Sequence, residues 1–223
     1  MVRRTILCTL MLLLAPSEHV ARADKKGDFE EAVKNDGCEA IPYSTLRSRC
    51  FDRRSDVREW CKTDRWNCDS GDLGIARLLE NIERMKSKIE SLKSELDGWK
   101  SKRSAARDDN SRREAEQKID AIEREIYDLN GKVEAHKKRV DENRTELRER
   151  IYRGEKCRDY RKDVQEIFKD AKSQAKGEST PEIRPLADKL VEKYERGERT
   201  HEEQIEDVKR GVGKCKDKLD GRD

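Results

Sequence analysis

No Cys-x-x-Cys pair occurs in this chain, although it carries seven cysteines. Structural zinc sites usually draw ligands at such close spacings, and thioredoxin-like redox centres are built on them. Both are set aside. A glycine-rich loop ahead of a helix, a nucleophile elbow and a paired-histidine motif are missing as well. That leaves no signature for nucleotide, phosphate or metal chemistry, so no cofactor is expected. Apolar residues are few, 33% against 45% charged. The longest apolar run, Ile6–Ala15, is too short for a membrane span, which takes about 20 residues in a helix. Charge of one sign does not dominate either. The formal net charge is +3, which speaks against the strongly basic face of a nucleic-acid binder.

The N-terminus supplies a compartment. Arg3 and Arg4 precede the apolar run, Pro16 and Ser17 break it, and Ala21-Arg22-Ala23 is a small-x-small cleavage site. Residues 1–23 are therefore read as a signal peptide, and the mature chain begins at Asp24. An exported protein, periplasmic or extracellular, is expected. Six cysteines remain after cleavage, and an even count in an exported chain favours disulfides over free thiols.

So high a charge content often means disorder. Here the apolar residues are periodic, and a long helical bundle needs only a narrow apolar seam. Ile75, Leu78, Ile82, Met85, Ile89, Leu92, Leu96 and Trp99 follow in alternating steps of three and four, which is a heptad seam. Past Trp99 the same heptad would place Arg103, Asn110 and Gln117 in the core. The seam resumes out of phase at Ile119, Ile122, Ile126, Leu129, Val133, His136 and Val140. Between the two runs lies the turn-like cluster Asp108-Asp109-Asn110-Ser111. Folding the chain about position 109 sets the seams face to face. Trp99 then meets Ile119, Leu96 meets Ile122, Leu92 meets Ile126 and Ile89 meets Leu129. Met85 meets Val133, Ile82 meets His136 and Leu78 meets Val140.

These patterns predict an all-α protein, a disulfide-stapled helical base with a projecting antiparallel coiled-coil hairpin. Residues 24–71 form a cysteine-rich helical head, in which Ser44 is placed as an N-cap and Asp69–Asp72 as the cap of the next helix. Residues 72–145 form the hairpin, its turn near 107–112. Residues 146–223 supply two further helices, about 146–176 and 181–219, packing on the head. Gly177 closes the first, Thr180 caps the second and Pro181 takes its first position. The mirror about 109 also places cysteines. Cys157 mirrors Cys61. If the last helix turns back near Thr180, Cys215 comes level with Thr145, which mirrors Leu73, close to Cys68, and this leaves Cys38 for Cys50. A nested alternative pairs Cys38 with Cys68, Cys50 with Cys61 and Cys157 with Cys215.

Function is less legible. His136 and His201 both fall on seam positions, where a polar residue most often sets register. Carboxylates are too many for a catalytic pair to stand out, and a narrow rod offers no concave, dry site for general acid–base work. Asn143-Arg144-Thr145 fits a glycosylation pattern but lies within a helix. The strongest candidate contact surface is the hairpin tip. Trp99, Lys100, Lys102, Arg103, Arg107, Arg112 and Arg113 cluster there, with three acidic residues among them. The expectation is an exported, non-enzymatic structural or interaction protein that presents its arm to a protein partner. Membrane contact is open only at the basic tip, and a homo-oligomer is compatible with the seam. A periplasmic holdase-type chaperone is one alternative. A small ligand-binding or enzymatic site in the head, near Trp60 and Trp66, is another.

Overall fold

The computed structural model describes residues 18–68 and 73–222. The apolar run Ile6–Ala15 and the Asp69–Asp72 cap lie outside them. Among the described residues the regular structure is helical, with two short 3-10 turns at Gly37–Ala40 and Thr63–Arg65. The helices are α1 (Glu18–Lys34), α2 (Ser44–Trp60), α3 (Ala76–Ala105), α4 (Asp109–Lys176) and α5 (Arg184–Leu219). None of them is long and apolar enough to cross a membrane. Three disulfides join Cys38 to Cys50, Cys61 to Cys157 and Cys68 to Cys215. This is the connectivity given by the mirror, and the nested alternative is not formed.

Contacts divide the chain into two units. The first takes residues up to Ser55 and Arg161–Glu203, and the second takes Asp56–Tyr160 and the chain from Gln204. The 24–71 segment is therefore shared. Cys38–Cys50 closes on itself in the first unit, whereas Cys61 and Cys68 are tied to α4 and α5 in the second.

In the first unit, Phe29 and Ala32 of α1, Ile41, Leu46 and Cys50 are buried, as are Ile167, Phe168 and Ala171 of α4 and Leu190 and Tyr194 of α5. Tyr194 is fully buried, and its hydroxyl donates to the Ala40 carbonyl at 2.7 Å. Lys193 caps the end of α1, its ammonium donating to the Val33 and Asn35 carbonyls at 2.8 and 2.6 Å. These are helix-end acceptors with no intrahelical partner. α2 begins at Ser44 itself, one residue earlier than a Ser44 cap implies, with the Tyr43 carbonyl accepting from the Arg47 amide. Gly177 follows the last residue of α4, but α5 starts at Arg184, so Pro181 does not take its first position; residues 181–183 form a turn in which the Thr180 carbonyl accepts from the Ile183 and Arg184 amides.

Two groups in this unit couple its stability to acid. The Lys25 ammonium, 2.7 Å from the Glu178 carboxylate, and then Thr180 hold that carboxyl down at about 2. Burial against Phe168, with the positive Arg161 nearby, lowers His201 to about 4. Both folded-state values lie below their unfolded ones, so the unfolded chain takes protons first and stability falls as pH falls. The His201 contribution is lost from about pH 6.5 down to 4, and the Glu178 contribution from about 4.5 down to 2. The first window is expected to cost roughly 2 kcal/mol after allowing for partial exposure of the imidazole. Urea midpoints between pH 7 and 4 check this, and His201→Gln should flatten the dependence.

In the second unit α3 and the first part of α4 form the antiparallel hairpin. Ile82, Ile89 and Leu92 are buried on α3, facing Ile122, Leu129, Val133 and Val140 on α4; Met85, Leu96, Trp99 and Ile126 pack alongside them. Two ion pairs between the helices accompany this register. Lys88 would mirror 130 and pairs with Glu125, while Lys100 would mirror 118 and pairs with Glu123 at 3.2 Å. The offsets are five residues in opposite directions, so they straddle the mirror at 109. Asn143 is buried in this seam, which removes its side chain from glycosylation in the folded protein. α4 runs unbroken through 145–146, so the predicted boundary there is not a helix end.

Beyond the hairpin the unit becomes three-layered. Cys61–Cys157 ties the end of α2 to α4, and Cys68–Cys215 ties the following loop to α5. Trp66 packs into this junction, its ring against Gly211 of α5. A Cβ built on Gly211 would lie 2.5 Å from Trp66 Cζ3. Gly154 of α4 likewise has no room for a Cβ, because Val212 already occupies the space.

Candidate interaction site at the arm tip

The hairpin turns over Ala106–Asp108, at the near edge of the span expected from the sequence. Asp108 makes the turn. Its Oδ1 accepts from the Ser111 amide at 2.8 Å and its Oδ2 from the Ser111 hydroxyl at 2.7 Å. These bonds satisfy an orphan donor at the start of α4 and hold the Asp108 carboxyl below the usual carboxylate range. The Asp108-x-x-Ser111 spacing lay inside the polar cluster that marked the turn, but its capping role is a structural finding.

Six basic residues surround this turn. Lys100, Lys102 and Arg103 come from the last turns of α3, Arg107 from the loop, and Arg112 and Arg113 from the first turn of α4. All six are exposed. Arg112 is 3.8 Å from Asp109, and Lys100 is held by Glu123. Among the described residues, Arg103, Arg107 and Arg113 have no ion-pair partner. Trp99 does not stand out as a free anchor. It is half-buried in the seam, its indole N–H donates to Glu95 at 3.3 Å, and the Lys102 ammonium lies 4.0 Å over its ring. The two therefore belong to one arrangement, a capped seam aromatic under a solvent-facing cation.

The charge is localised. Residues 100–114 carry six basic and three acidic side chains, whereas 76–99 carry five of each and 115–140 carry six of each. The shaft is neutral and the tip holds a surplus of three positive charges. On the shaft some charges pair along a helix, as with Arg84–Glu80, Lys93–Glu90 and Lys137–Glu134, while Arg77, Lys118, Arg124 and Lys132 have no ion-pair partner among the described residues.

The alternative site near Trp60 and Trp66 looks different. Trp60 packs edge-on to Tyr152 with ring centres 6.0 Å apart, and against Tyr160 at 6.4 Å. Trp66 is buried on Gly211. An open groove of about 1150 Å³ runs nearby, lined by Asp64, Arg65 and α4 residues from Glu134 to Arg153. Neither tryptophan lines it, and its charges pair with one another, Arg150 with Glu146 and Arg153 with Glu149. Among the described residues no group of three or more His, Cys, Asp or Glu side chains is placed to hold a metal ion.

The fold and the tip define a helical protein with a disulfide-held coiled-coil arm. No protein family, curated protein or solved structure matches the chain.

Proposed function

We propose that this is an exported, non-enzymatic interaction protein that works by holding out the coiled-coil arm and making contact through its tip. The observation that carries this reading is the charge pattern on the hairpin, a net-neutral shaft ending in a basic turn with a surplus of three positive charges. A shaft with no net charge has little long-range attraction for charged molecules, so contact is directed to the end. The base supports the same reading. Cys61–Cys157 and Cys68–Cys215 cross-link three segments where the arm begins, which limits splaying of its two helices. A holdase would need broad apolar surface. Among the described residues the exposed large hydrophobic side chains, Phe51, Leu79, Tyr127 and Tyr152, are spread over α2, α3 and α4.

The test has three readouts on the secreted protein. N-terminal sequencing is expected to begin at Asp24. Non-reducing peptide mapping is expected to recover the Cys61 peptide joined to the Cys157 peptide, and the solution mass to be that of a monomer. A dimeric or trimeric mass with cross-links between copies along the seam would refute the arm, because the same heptads would then serve an intermolecular rod.

A further inference from the structure

We infer that the arm tip docks end-on to an anionic lipid surface. This rests on the reading of the arm as a presented contact element and names what the contact takes.

Three features favour a lipid surface over a folded protein. The first is the absence of an anchor. Tight protein interfaces centre on a desolvated aromatic or arginine seated in a pocket. At this tip the one aromatic is packed in the seam, bonded to Glu95 and covered by Lys102, while the turn itself shows only Ala105 and Ala106 between charged residues. The second is geometry. The unpaired cations come from the end of α3, the loop and the start of α4, so they ring the terminus of the hairpin and do not form a stripe along one face. A ring of long, solvated side chains suits a fluid surface that needs no shape complementarity. The third is chemistry. Arg103, Arg107 and Arg113 offer planar forks that pair with phosphate oxygens, and none is committed to a carboxylate of this chain among the described residues. The neutral shaft adds no competing attraction that would lay the arm flat.

The experiment uses the mature full-length protein and sedimentation with vesicles, either phosphatidylcholine alone or mixed with phosphatidylglycerol. With a surplus of three charges, and roughly fivefold in affinity per basic residue near an anionic surface, the preference for anionic vesicles should be about a hundredfold at low salt. It should fade as salt rises to about 0.3 M. The triple variant Arg103→Gln/Arg107→Gln/Arg113→Gln removes the whole surplus and should abolish the preference. The shaft variant Arg77→Gln/Arg124→Gln/Lys132→Gln loses the same net charge and should keep it. All six positions are exposed, so helicity and Tm should not move in either variant.

Equal binding to both vesicle types overturns the inference. So does equal loss in the two triple variants, which would mean attraction to overall charge and not to the tip. Tip-dependent binding to a folded acidic protein, with no vesicle binding, also overturns the lipid assignment but leaves the presented arm standing. Failure of the arm reading would instead appear as an oligomeric mass, whatever the vesicles do.

Discussion

Cys61→Ser/Cys157→Ser is expected to lose about 4 kcal/mol of stability in urea denaturation under non-reducing conditions. The bridge spans 96 residues of sequence. Cross-linking a loop of that length restricts the unfolded ensemble by about 4–5 kcal/mol on the chain-entropy account. Cys68–Cys215 remains in the variant and already shortens the open loop, which trims the figure only slightly because the dependence is logarithmic. Domains of this size commonly have only about 5–15 kcal/mol in total, so the loss brings the variant close to unfolding at 37 °C. Its position sharpens the expectation. The bridge lies where the hairpin helices join the base, and the arm itself has only a narrow seam to hold it. Hydrogen exchange should therefore rise first in α3 and in the facing part of α4. Both cysteines must be replaced, since a single substitution leaves a free thiol able to attack the remaining disulfides. A loss below about 1 kcal/mol would mean that the seam alone fixes the arm.

The part of this fold that could be read from the sequence is the part governed by one-dimensional spacing. Heptad steps on either side of a polar cluster gave both hairpin helices, their turn and, through the mirror about 109, the partner of Cys61. Ile82, Ile89, Leu129 and Val133 are buried because a seam has one dry side, and that side shows in the spacing. Contacts among three segments were not legible. Cysteine density made 24–71 look like one head, yet Cys61 and Cys68 belong with the stretches of α4 and α5 in one unit, and Cys38 and Cys50 with those in the other. Lys25 with Glu178, Lys193 on the end of α1 and Tyr194 on Ala40 join residues about 150 positions apart, in a chain so rich in charge that no single pair stands out. The tip residues were legible as a cluster. That Trp99 is covered by Lys102 needed the structure.

Gly211→Ala should destabilise the protein by about 1–3 kcal/mol, against the ordinary expectation for a glycine inside a helix. In an open helix the change gains about 1 kcal/mol from backbone entropy and propensity. At this position the new methyl would meet Trp66 Cζ3 at 2.5 Å and Cε3 at 2.9 Å, so the indole or α5 must shift. The indole has little freedom to retreat, because Trp66 is buried and the next residue but one, Cys68, is bonded to Cys215 on the same helix. Trp66→Ala alone should cost about 3–5 kcal/mol through the cavity it leaves. Its unpartnered indole N–H keeps the figure toward the lower end, since removing a buried orphan donor returns some stability. The decisive quantity is the coupling between the two. In a Trp66→Ala background the clash is gone and the cavity has room for a methyl. There, Gly211→Ala should be neutral or stabilising by up to about 1 kcal/mol, a coupling of about 1–4 kcal/mol in a double-mutant cycle. Additive losses would show that the indole does not rest on Gly211. The close approach of Trp66 to α5 would then not be what calls for a glycine at 211.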